Sequence, residues 1–385
     1  MSVTPDWHTD EFPELRPGPP WVMQEMIASQ PALVEGLLRT PPDGVQEAAG
    51  AIAEALERNL PVTVCGCGTS EHAAQGVAAM LAAGVGPGKS HLVQARAAFS
   101  AALDPRPGAC VVVSHEGGTR ASTLALSAAR SAGARTVAVT QQPDSACARA
   151  AELVLVTPVH DASWCHTVAY TSALAVGATM AAGLGAFAAD PAATRGLLDR
   201  AVSCADAASI AERLADRRVI ICAGAEPDLP TARELALKIA EGANVPTLAL
   251  ELETVLHGQL AAHEPTDALV LLALTDSGDH ERAVRRATDV ANAAATIGLR
   301  VAGLLSERYG RALGADLVPD GRLVLPLPAA QLVDVRLAGL LAGAGALQSV
   351  TLQLTHARGT NPDLIRREQA PYRHAAQAAE SSDSW

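Results

Sequence analysis

At Val62 an apolar run, Val62-Thr63-Val64-Cys65, meets Gly66, Gly68, Thr69 and Ser70, and an Ala-rich helical pattern opens at once. A strand that turns through glycine straight into a helix belongs to a parallel sheet, because parallel neighbours need a crossover between them. The alternation continues, with strands expected at 109–114, 136–140 and 153–157 and Ala-rich helical segments between them. It then starts again, with strands expected at 218–223, 268–274, 300–305 and 322–325. The two runs are offset by about 157 residues, which suggests a duplicated α/β unit read from element order alone. A length of 385 residues suits about two domains. Aromatic residues make up only 3% of the chain, so the cores must be built from Ala, Val, Leu and Ile, as in close-packed parallel layers.

A net charge of −12 argues against nucleic acid and anionic membranes as partners. An anionic ligand would need local dipoles and a few placed groups. The seven cysteines show no scaffold spacing, which fits a reducing, cytoplasmic setting. The opening MSVTPDWHTDEFPELRPGPP is acidic and Pro-rich without an apolar core, so no signal peptide is expected. Residues 171–189 are uncharged but mostly Ala, Gly, Ser and Thr, which predicts a tightly packed buried helix rather than a membrane span. Residues 1–46 read as an arm carrying an amphipathic helix, and 359–385 as a docking tail with a frayed tip.

Three constellations carry chemistry. Gly66-Cys67-Gly68-Thr69-Ser70 lies at a strand-to-helix turn, where glycine permits close approach and the helix start offers N–H donors. A purely structural turn capped by Ser70 would explain it equally well if it stood alone. Ser114-His115-Glu116-Gly117-Gly118-Thr119 makes a second such loop, and two loops at the ends of adjacent parallel strands converge on one crevice. The third is a helix carrying Glu234, Lys238 and Glu241 at i, i+4 and i+7, hence on one face. An exposed charged face is the ordinary explanation. Against it, the neighbours are Ala, Leu and Ile, and the chain has only two lysines (Lys89 and Lys238) beside 27 arginines. His257 follows 16 residues after Glu241; a lone histidine among apolar residues is more often structural. No paired C-x-x-C or H-x-x-x-H spacing suggests a metal, and no cofactor is implied.

In this order, the three constellations resemble the isomerase half of glutamine–fructose-6-phosphate aminotransferase and its tandem sugar-isomerase (SIS) relatives, which include glucosamine-6-phosphate deaminases and fructosamine-6-phosphate deglycases. Cys67-Gly68-Thr69-Ser70 is similar to that family's CGTS loop, and residues 114–119 stand where it has S-x-S-G-E-T. Glu234-x-x-x-Lys238-x-x-Glu241 matches its E-x-x-x-K-x-x-E helix, and His257-Gly258 its H-G dipeptide. The resemblance covers nearly the whole chain. It implies two flavodoxin-like three-layer α/β/α SIS domains with parallel sheets in tandem: an arm at 1–46, domains at 47–205 and 206–355, and a tail at 356–385. It further implies a homodimer with shared sites, and an aldose–ketose isomerisation or a deamination or deglycation of an amino sugar or sugar phosphate. Glu241 would shuttle a proton between C1 and C2, His257 would open the ring from a neighbouring subunit, and Lys238 would orient Glu241 or bind a substrate oxygen. Gly68, Thr69, Ser70, Ser114, His115, Glu116, Gly117, Thr119, His166, Thr167 and Glu234 would line the ligand.

The departures are specific. Glu116 replaces a phosphate-binding serine, and a carboxylate beside a phosphate costs about 1–4 kcal/mol at intermediate dielectric. Either Glu116 turns away, or the ligand lacks a phosphate there, or it carries an amine. His166-Thr167-Val168 stands where the family has a Ser-Thr-Lys run. The Schiff-base lysine of the aminotransferase has no counterpart, since the tail after Gly359 holds no lysine and Arg366 and Arg367 cannot form an imine. No glutaminase segment precedes the first domain, so release of ammonia from glutamine is not expected. The alternative function is a non-catalytic sugar or sugar-phosphate sensor, which would need the loops but not the base.

Overall fold

The computed structural model describes residues 14–276 and 278–380; the Pro-rich lead before residue 14 and the tip after residue 380 lie outside it. The first sheet is built from β1 (Val62–Gly66), β2 (Val93–Ala97), β3 (Gly108–Val113), β4 (Ala134–Thr140) and β5 (Leu153–Val156), in the order β2-β1-β3-β4-β5. The second comprises β6 (Ile220–Gly224), β7 (Thr247–Glu251), β8 (Ala268–Ala273), β9 (Arg300–Ser306) and β10 (Arg322–Leu325), in the order β7-β6-β8-β9-β10. Every pairing is parallel, and the two sheets share one topology.

The apolar runs of the central strands are buried on both faces, which is what parallel sheets require. In β3, Ala109, Val111 and Val113 face a core shared by both halves, whereas Cys110 and Val112 face a smaller outer cluster. In β8, Ala268, Val270 and Leu272 enter that same shared core, and Leu269, Leu271 and Ala273 turn to the outer helix layer of the second half. The period of two is thus satisfied twice on each strand. The sequence reading omits β2 and β7. Both are edge strands, VQARA and TLALE, only partly buried, so their polar positions hide the apolar signal.

Two helices seal the shared core. Val168–Leu184 is buried along nearly its whole length, as expected for the uncharged segment, and packs on the Thr69–Val85 helix. Val335–Arg358 is the one helix among the described residues long and apolar enough to cross a membrane, yet it is almost wholly enclosed by the protein. It touches helices of both halves, including Thr69–Val85, Val168–Leu184 and Leu229–Lys238. The arm helix, Val22–Arg39, is integral rather than peripheral: Met23, Ile27 and Val34 are buried. Its first turn is capped from the far end of the chain, where the buried Asp363 carboxylate accepts the Val22 and Met23 N–H groups at 2.7 and 2.8 Å. That cap pins residues 360–369 beside the ends of β1 and β3.

Candidate functional site

Two glycines shape the crevice at the carboxyl ends of β1 and β3, where the chain order reverses about the sheet centre. A Cβ on Gly66 would lie 2.5 Å from the Ser70 backbone, so only glycine lets β1 turn directly into the Thr69–Val85 helix. Gly117, at φ +67, closes the second loop by donating its N–H to the Ser114 carbonyl at 3.1 Å. A Cβ there would strike the Ser145 hydroxyl at 2.0 Å.

From the second half comes the helix Leu229–Lys238, which widens into a π turn over Ile239–Ala243. The helix carrying the third constellation is therefore not one regular α-helix. Glu234 and Lys238 are completely buried, whereas Glu241, on the π turn, reaches the crevice with its side chain 24% exposed. Lys238 Nζ donates to Glu241 Oε2 at 2.6 Å and lies 3.7 Å from Glu234 Oε1. The exposed-face explanation for these charges is thereby excluded. Burying an ammonium is costly unless carboxylates surround it. Burial alone would push the Lys238 ammonium down, but the charges of Glu241 and Glu234 override it and hold the group above its ordinary value. Glu234 is held below the usual carboxylate range: burial opposes this, and Lys238 and His72 outweigh it.

The second loop holds a further pair. Glu116 Oε1 lies 3.5 Å from His166 Nε2. Burial works against charge on both, but the hydrogen bond between them keeps Glu116 below and His166 above their usual values. Glu116 therefore does not face the crevice as a lone carboxylate. Its neighbour His115 is buried and neutral, with Nε2 accepting the Asp161 N–H at 2.9 Å, which places the remaining proton on Nδ1. Burial pushes its pKa down to about 4, although Asp161 and Glu116 act in the opposite direction. Asp161 in turn accepts the N–H groups of Thr167 and Ala169 (the latter at 3.1 Å), capping the buried Val168–Leu184 helix.

These elements enclose a cleft of about 510 Å³, lined among others by Gly68, Thr69, Ser70, Ser114, His115, Glu116, Thr119, His166 and Glu241. Five expected residues stand outside the lining. Thr167 is buried beneath it, and Gly117 supports the loop from behind. Glu234 and Lys238 sit under the floor, and even Thr69 points its hydroxyl at Glu234, 3.2 Å away. His257 lies elsewhere on the same chain, 71% exposed and 3.0 Å from Glu253. Cys67 of the first loop also lines the cleft, together with Trp164, Ile365 and Arg367, which the sequence reading does not assign to the site. Arg367 stacks its guanidinium 4.3 Å from the Trp164 ring centroid and has no ion-pair partner among the described residues. An Arg pair in a lysine-free tail was the available signal; it was weighed only against imine chemistry. Two other grooves of similar volume, around Ala78–Leu340 and Ile27–Leu352 contacts, lack converging polar loops.

Residues 58–186 match the sequence model of the SIS domain. Among curated protein sequences, no relative matches at a significant level. The fold is that of several solved structures. The C-terminal domain of glucosamine-fructose-6-phosphate aminotransferase from Francisella tularensis superposes with a TM-score of 0.72 at 17% identity, covering 90% of this chain and 98% of that one. Tagatose-6-phosphate ketose/aldose isomerase from Escherichia coli gives 0.71 at 20% identity, covering 89% and 95%. Glucosamine-6-phosphate deaminase from Thermotoga maritima gives 0.59 at 15%, covering 89% and 96%.

The depressed His115 has a consequence for stability. Between its folded value of about 4 and its unfolded value near 6.5, the unfolded chain binds the extra proton. Its contribution is thus complete above about pH 6.5 and is lost as pH falls toward 4, by on the order of 3 kcal/mol at most. Unfolding of wild type and His115→Gln compared across this range should show wild type losing more stability on acidification. Parallel curves would contradict the neutral, buried assignment.

Proposed function

We propose that this chain, which carries an SIS domain over residues 58–186 within a fold of two parallel α/β units, moves a proton between adjacent carbons of a sugar phosphate bound in the cleft. The reaction is an aldose–ketose isomerisation, or the deamination or deglycation of an amino sugar that shares the same enediol or enolamine. The observation that carries this reading is the Glu241 carboxylate. It enters the cleft opposite two glycine loops, with Oε2 held 2.6 Å from a fully buried ammonium. Lys238 fixes one carboxylate oxygen and leaves the other for the substrate C–H. Glu241 takes the proton from the hydroxyl-bearing carbon beside the carbonyl, the electron pair forms the C=C of an enediolate with its charge on the former carbonyl oxygen, the hydroxyl proton passes between the two adjacent oxygens, and the same carboxylate returns its proton to the neighbouring carbon. A chain that only sensed a sugar would need the loops, not a lysine buried at such cost behind a carboxylate.

A phosphorylated substrate is supported by two features. His166 neutralises Glu116, which removes the repulsion that the sequence alone implies. Arg367 adds a guanidinium without a carboxylate partner among the described residues to a wall that also carries Ser70, Ser114 and Thr119. The structures it resembles include an isomerase and a deaminase named for 6-phosphate sugars.

Glu241→Gln should abolish solvent-deuterium incorporation at C1 of fructose 6-phosphate or C2 of glucosamine 6-phosphate, by at least about a hundredfold, with binding kept within about tenfold. Undiminished incorporation would remove Glu241 from the role of base.

His257 is proposed to complete the cleft of a second copy, acting on the ring oxygen in a homodimer, since on its own chain it is exposed and outside the cleft. Mixing inactive Glu241→Gln with inactive His257→Ala subunits should recover part of the activity, because each heterodimer contains one intact site. Heterodimers that form yet stay inactive would contradict sharing.

A further inference from the structure

One cation, Lys238, faces two carboxylates, and the distances are unequal: 2.6 Å to Glu241 and 3.7 Å to Glu234. The reason lies in the other half of the molecule. His72 Nδ1 stands 2.7 Å from Glu234 Oε2, and Thr69 Oγ1 donates to Glu234 Oε1 at 3.2 Å. Both come from the first turn of the Thr69–Val85 helix, directly after the loop that forms the cleft wall. With each of its oxygens already served by a donor, the buried Glu234 does not draw the ammonium away from Glu241. We propose that His72 is a positioning residue: by holding Glu234, it keeps the Lys238 ammonium on Glu241 and so sets the orientation of that carboxylate.

The chain His72, Glu234, Lys238, Glu241 alternates donor and acceptor from a histidine ring 14% exposed, through two fully buried groups, to a carboxylate in the cleft. Other titratable groups face it from the packed elements. The Cys165 thiol and His166 ring come from the loop before the Val168–Leu184 helix, and the Tyr170 hydroxyl from that helix itself. Burial pushes Cys165 and Tyr170 well up, so both stay neutral, and Glu116 already occupies His166. His72 and Thr69 are therefore the groups that decide how Glu234 shares the lysine. In His72→Leu, Glu234 loses its closest donor and the ammonium shifts toward it. Glu241 is then left with a weaker partner.

The proposal rests on Glu241 being the base, but its test needs no substrate, so it can fail separately from that reading. The chain has only two lysines, so protein grown on 15Nζ-lysine gives two ammonium signals, and Lys89→Arg assigns them. The Lys238 signal of the ligand-free protein reports which carboxylate holds the ammonium, because Glu241→Gln displaces it only while that contact is made. In the His72→Leu background this displacement should fall by about half or more. In the His72→Gln background, where the amide can still donate to Glu234, it should stay within about a tenth of its full size. Thr69→Val removes the second donor and should reduce the displacement by a smaller step, which keeps the test open if His72→Leu does not fold. A displacement of full size in folded His72→Leu or Thr69→Val would overturn the proposal. An equal reduction in His72→Gln and His72→Leu would also overturn it, because the ring would then act by packing alone.

Discussion

The structure turns on a single buried ammonium. Lys238 has no solvent contact, and an isolated charge in that position would be prohibitively costly. Its two carboxylates make it tenable, and one of them is tied to His72 and Thr69 of the other half. The same side chain therefore links the second α/β unit to the loop that follows β1, and presents Glu241 to the cleft. Joining the halves and placing the Glu241 carboxylate at the cleft are one arrangement of charges.

Packing supports that arrangement over a longer range. The inner faces of both sheets, with the Val168–Leu184 and Val335–Arg358 helices, form one continuous core. The cleft floor cannot open by independent movement of the halves without breaking that core. Residues 360–369 are tied down at several points: the Asp363 carboxylate caps the arm helix, the Asp363 carbonyl accepts the Trp164 N–H at 3.2 Å, Thr360 donates to the Gly242 carbonyl at 2.8 Å, and Arg367 stacks on Trp164. Ile365 and Arg367 of this segment line the cleft.

Much of this was legible in the sequence, for physical reasons. Strands buried on both faces read as apolar runs, so eight of the ten strands were placed from patterning alone; β2 and β7 were not, because VQARA and TLALE carry polar or charged residues, whereas the other two edge strands, β5 and β10, read LVLV and RLVL. Gly66 and Gly117 stood out because their backbone positions tolerate no Cβ. The helix carrying Glu234, Lys238 and Glu241 was found by spacing, but spacing assumes a regular helix and could not show the π turn at Ile239. Pairings between distant segments were not legible. Nothing local links Glu116 to His166, His72 to Glu234 or Asp363 to Val22, so the histidine beside Glu116 is not legible from the loop that carries the carboxylate. His257 illustrates the converse: the sequence pairs it with the site by resemblance, and within one chain it stands apart.

The central claim is that one ligand bridges the two glycine loops and the Glu241 carboxylate. A crystal structure of the protein soaked with fructose 6-phosphate tests it most directly. The account predicts the sugar in the cleft with C1 or C2 about 3–3.5 Å from a Glu241 oxygen and the phosphate within hydrogen-bond reach of Ser70, Ser114 or Arg367. A sugar phosphate bound in another groove, or bound in the cleft with C1 and C2 turned away from Glu241, would contradict it.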